Sequence, residues 1–117
     1  MTRARTLAGL IFSNINAQTG TTYTFALTDA NNTFVTLANA SAIAATIPLN
    51  SAVAFPVGTV INFAQTGAGQ VTISGTSGVT ITSTGATAAT PKTRAQYSAV
   101  SAIQTSANNW LVLGDIS

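Results

Sequence analysis

The side chains available for acid–base chemistry are few: Asp29, Asp115, Lys92, Tyr23 and Tyr97, with Arg3, Arg5 and Arg94 as fixed cations. The 117-residue chain has no His and no Cys, and both of its acidic residues are Asp. A serine nucleophile would therefore lack its base, and no thiolate or imidazole is present to hold a metal. Two aspartates far apart in the chain make a poor glycosidase or metal pair. Each also has a simple structural explanation: Asp29 opens an Asp-Ala-Asn-Asn turn, and Asp115 follows Gly114 near the chain end. Gly67-Ala68-Gly69 has the G-x-G look of a phosphate loop, but Gln70-Val71-Thr72-Ile73 follows it as a strand rather than a helix, so it reads as a turn. The expectation is a protein without catalytic residues, cofactor or metal.

The rest of the composition sharpens this. Charged residues make up 5% of the chain and hydrophobic ones 46%, against a usual charged share of about 25%. The surface must then be covered by Thr, Ser, Asn, Gln and Ala, and copies of the chain repel one another weakly. Association with other subunits is expected. A net charge of +2 without a basic stripe and interleaved aromatics argues against nucleic acid. No apolar run approaches the roughly 20 residues of a membrane helix, and Leu7–Phe12 is too short for a persuasive export signal.

The elements that would carry these residues read as strands. Period-two alternation runs through Tyr23, Phe25 and Leu27, through Ile43, Ala45 and Ile47, through Ile61 and Phe63, and through Tyr97, Ala99, Ser101 and Ile103. Phe34–Leu37 and Trp110–Leu113 add two more strands, and Asn31-Asn32, Gly67–Gly69 and Asn108-Asn109 mark turns. Val71-Thr72-Ile73-Ser74 and Val79-Thr80-Ile81-Thr82, joined by Gly75-Thr76-Ser77-Gly78, read as a hairpin. The period of that repeat fails on both sides, which argues against a solenoid and against an ice-binding threonine ladder. Helix is expected only within the first dozen residues. The fold class is all-β: one small antiparallel β-sandwich or barrel-like (jelly-roll-like) domain of about eight short strands over residues 21–117. Residues 1–20 precede it as an N-terminal arm whose Arg3 and Arg5 suit an acidic partner surface.

Several motifs, in order, resemble a small β domain of tailed-bacteriophage virion proteins. They are Tyr23–Ala30, Ile47-Pro48, Phe55–Ile61, Gly67–Gly69 before Val71–Ile73, Gln96–Val100 and Trp110–Asp115. Members of that family serve as modules of tail fibres and as small stand-alone proteins. The resemblance implies a trimeric capsid decoration (cement) protein on the virion surface, bound to the major capsid protein through the arm. The alternative it implies is a tail-fibre or tail-tip component for host attachment. Tyr23, Phe55, Tyr97 and Trp110 are expected as core aromatics or subunit contacts. The chain departs from long fibres in having no coiled-coil heptads and no collagen-like repeat.

Overall fold

The computed structural model describes residues 12–30, 32–84 and 89–117. Among the described residues nine strands form: β1 (Asn14–Gln18), β2 (Thr22–Thr24), β3 (Thr33–Leu37), β4 (Ile43–Ile47), β5 (Val60–Gln65), β6 (Val71–Gly75), β7 (Thr80–Thr82), β8 (Ala99–Ser106) and β9 (Asn109–Gly114). They make a six-stranded sheet in the order β1-β3-β5-β8-β9-β7 and a three-stranded sheet in the order β2-β4-β6. The protein is all-β among the described residues apart from one 3-10 turn, Leu27–Ala30.

From β1 to β6 the chain changes sheet at every step. Each strand therefore returns to its own sheet running in the same direction, and β1/β3, β3/β5, β2/β4 and β4/β6 all pair in parallel. A parallel pair needs a crossover connection; here the opposite sheet supplies it. The expected antiparallel arrangement is thus corrected: both sheets contain parallel pairs, and among the described residues antiparallel pairing is limited to β5/β8, β8/β9 and the isolated bridges Thr72↔Lys92 and Thr93↔Ile116. The expected hairpin at Gly75–Gly78 is also corrected. The strand β6 pairs with β4, and β7 crosses to the large sheet to pair in parallel with β9. Thr76 N–H extends the β4 ladder by donating to Ile47 O at 2.9 Å, and the chain turns only after it. The winding of the first six strands is solenoid-like, with coils of unequal length: Asn14 lies beside Thr33, but Phe34 lies beside Asn62.

The corners between the sheets stack. Asn39 Nδ2 donates to Thr19 O of the preceding coil (2.7 Å), and Gly69 N–H of the following coil donates to Asn39 O (2.7 Å). A Cβ on Gly69 would lie 1.9 Å from Ser41 O, and one on Gly67 would lie 2.5 Å from Asn39 N. The G-x-G run is there because backbone packs on backbone.

Inward-facing residues of both sheets share one core. It includes Val35 and Leu37 of β3, Ile43 and Ile47 of β4, Ile61 and Phe63 of β5, and Val71 and Ile73 of β6. Phe25 packs on Phe63 with ring centroids 5.1 Å apart. Two buried amides sit among these side chains with their partners. Gln65 Nε2 donates to Gly67 O (3.0 Å), and its Oε1 accepts from Thr93 Oγ1, which in turn accepts from Val71 N–H (3.0 Å). Gln104, with its amide nitrogen turned to the β4–β5 connection, donates to Phe55 O (2.8 Å) and Pro56 O (2.9 Å). Buried polar groups demand such partners, and these tie the loops at residues 55–56 and 91–93 to the sheets.

Three local expectations change. Tyr23–Leu27 is not one strand: β2 ends at Thr24, and Leu27 begins the 3-10 turn. The cause is Asp29, whose Oδ2 accepts the Ala26 N–H (2.8 Å) as a side chain at the third position of a helical turn does. Tyr97 lies outside β8, and the inward residues of β8 are Val100, Ala102 and Gln104, opposite in parity to Ala99, Ser101 and Ile103. Finally, residues 14–18 of the supposed arm form β1, paired along its length with β3.

Candidate functional site

Asp29, Tyr23, Arg94 and Asp115 are engaged in holding the fold. Asp29 is 1% exposed. Its Oδ2 accepts from Tyr23 Oη (2.5 Å) and Ala26 N–H, and its Oδ1 accepts from Asn16 Nδ2 (2.8 Å). Gln18 Nε2 donates to Asn16 Oδ1 (2.7 Å), so the cluster joins β1, β2 and the 3-10 turn. Burial, and then the hydrogen bond to the Asp29 carboxylate and its charge, push the Tyr23 phenol well above its ordinary value. At the other end Arg94 grips Asp115 with Nε on Oδ1 (2.7 Å) and Nη2 on Oδ2 (2.9 Å), and Ser98 Oγ donates to Oδ2 (2.9 Å). The Arg94 hydrogen bond, followed by that of Ser98, holds the Asp115 carboxyl below the usual carboxylate range. Asp29 and Asp115 thus serve different elements. Among the described residues no group of three His, Cys, Asp or Glu side chains could hold a metal ion.

The four aromatic candidates separate. Phe55 and Trp110 are buried and meet edge to face at 5.3 Å. Tyr23 is half-buried against the core, edge-on to Phe25 at 5.5 Å. Tyr97 is 73% exposed at a φ of 72°, a left-handed conformation that is strained for a bulky residue. It is no core residue. Its amide is held by Gln65 O at 2.6 Å, which forces the backbone to turn there. Arg3 and Arg5 lie outside the described residues.

The surface feature that sequence reasoning missed is the outer face of the six-stranded sheet. Strand register places Ile15, Phe34, Asn62, Ser101 and Leu113 in one row across it. Val60, Ile103 and Leu111 form the next. Ile15 is 58% exposed, Leu113 42% and Val60 39%. Phe12 packs on Phe34 at 5.2 Å and extends the patch. A shallow depression of about 500 Å³ runs over it, bordered by Phe34, Val60, Ile103 and Leu113. It shares Phe12, Val60 and Asn62 with a second depression, which shares Ala30 and Thr59 with a third beside the exposed Leu27. The polar pair at the centre is internally bonded, Ser101 Oγ donating to Asn62 Oδ1 at 2.6 Å. Among the described residues no Asp, Lys or Arg lines any of the three.

A signal for this face was present in Trp110-Leu111-Val112-Leu113. A strand with one wet face alternates, whereas an unbroken apolar run marks a strand covered on both sides. Trp110 and Val112 fill the core, and Leu111 and Leu113 point the other way. An apolar patch of this kind is suited to contact with another surface. Compared with family models, curated proteins and solved structures, the chain matches none.

Proposed function

We propose that this chain is a non-enzymatic structural protein of a tailed-bacteriophage virion, acting as a capsid decoration (cement) subunit that associates with itself and with the major capsid protein. The fold suited to that role is a small sandwich whose two layers are wound from parallel coils and closed by the β8–β9 hairpin. The observation that carries the reading is the uncharged apolar outer face of the large sheet. Such a face packs against neighbours without desolvating ions, and repeated on a lattice its modest contacts add through multivalency. The ordered motifs from Tyr23 to Asp115 supply the phage assignment.

Tyr97 supports a second reading. An aromatic ring held 73% exposed on a strained backbone is a feature of contact sites, and in a tail component it would serve host attachment. Counting copies in purified virions of the phage that carries the gene, by quantitative mass spectrometry, separates the two. Hundreds of copies per particle are expected. A few tens would assign the protein to the tail, and none would end the virion reading.

A further inference from the structure

We propose that the outer face of the six-stranded sheet is occupied by a second copy of this chain. The inference deepens the assembly reading above and rests on it. Three observations bear on a copy of the chain as the occupant.

The first is the two-sided apolar character of the central strands. In β5, Ile61 and Phe63 fill the core while Val60 faces out; in β9, Trp110 and Val112 fill the core while Leu111 and Leu113 face out. Such strands are built for cover on both faces. The second is charge. A copy brings the same groups it meets, so a charged self-interface repels itself unless its charges are arranged in opposition. This face needs no such arrangement, because no charged side chain among the described residues lies on it: Asn62 and Ser101 bond to each other, and Thr36 and Thr82 add only neutral hydroxyls. Among the described residues an ionic partner would find no charged side chain lining the depression, and Arg94 and Asp115 are already bonded to each other. The third is size. Four strand spacings from β1 to β9 span about 20 Å, and strands of five to eight residues run about as far, giving roughly 400 Å² per copy. The depression leading toward Leu27 enlarges this. That lies below the roughly 800 Å² per partner of a standard stable interface, so self-association should be weak and reversible.

Sedimentation equilibrium of the purified full chain between about 1 and 200 µM tests this. The wild-type protein should pass from monomer to oligomer within that range. Val60→Asp and Leu113→Asp alter side chains that are already exposed, and each should raise the dissociation constant at least tenfold with native circular dichroism retained. Ala44→Asp, on the exposed outer face of β4 in the other sheet, should leave association unchanged. A wild-type monomer at 200 µM would overturn the proposal and leave the face to a different protein. So would Val60→Asp and Leu113→Asp proteins that associate as tightly as wild type. The two readings fail separately: a monomer present in hundreds of copies per virion would sink this one alone, and an oligomer absent from virions would sink the other.

Discussion

Gly69→Ala should be among the most damaging single-methyl changes available in this protein. The added Cβ would sit 1.9 Å from Ser41 O, 2.4 Å from Ser41 C and 2.7 Å from Asn39 O. All three atoms are backbone, so no side chain can swing aside. Restoring ordinary contact, at about 3.5 Å, requires the two corners to part by more than about 1 Å. That separation breaks the Gly69 N–H bond to Asn39 O (2.7 Å), a loss of about 1 kcal/mol. Overpacking of this kind adds about 1–3 kcal/mol. The total is about 2–4 kcal/mol. At roughly 2.1 cal/mol/K per residue, unfolding this chain carries an entropy of about 0.25 kcal/mol/K, so the melting temperature should fall by about 8–16 °C. Gly20→Ala is the control, because its nearest atom would be Thr22 O at 3.5 Å; it should change stability by less than about 0.5 kcal/mol. Urea and thermal melts followed by the fluorescence of buried Trp110 give both numbers. A Gly69→Ala protein melting within 2 °C of wild type would refute the claim that the coils are held corner on corner.

Other perturbations probe the two charged clusters. Asp29→Asn replaces an acceptor with an amide nitrogen facing Tyr23 or Asn16 donors, and should cost about 1–3 kcal/mol by urea titration. Because the Tyr23 phenol is raised in the folded state, its contribution is complete below the unfolded tyrosine range near pH 10 and is lost as pH climbs through that range toward the folded value. Tyr23→Phe should flatten this alkaline slope in melts taken between pH 8 and 11.5. Asp115 behaves oppositely: its carboxyl is depressed, so its contribution is present above the unfolded value near 4 and is lost in acid. Arg94→Gln should move the Asp115 carboxyl upward in an NMR titration, toward the ordinary range.

The inner face of the fold was largely legible. Ile43, Ala45 and Ile47 alternate and do face the core, as do Ile61 and Phe63. The winding was not, for two physical reasons. Alternation reports which side of a strand is buried but is blind to the direction of its neighbour, so Val71–Ile73 and Val79–Ile81 looked like hairpin partners. A repeat search needs coils of equal length, and Asn14↔Thr33 against Phe34↔Asn62 leaves no common period. The chemistry of the corners was hidden too, since Gly67 and Gly69 serve contacts with Asn39 and Ser41, which are distant in sequence. At the candidate face the difficulty was parity. Tyr97, Ala99, Ser101 and Ile103 alternate as cleanly as a buried set would, yet Val100, Ala102 and Gln104 are the residues that turn inward.

Parallel winding gives the molecule a top and a bottom. Among the described residues, β1 and β2 are the outermost members of their sheets at the first coil, while the large sheet continues past the last coil into β8, β9 and β7. Flipping one copy end over end therefore exchanges the β1 edge of the large sheet for the β7 edge, two edges built from different strands. Any array tiled from this subunit inherits that arrow, and with it a way to distinguish an upright neighbour from an inverted one without a single charged contact.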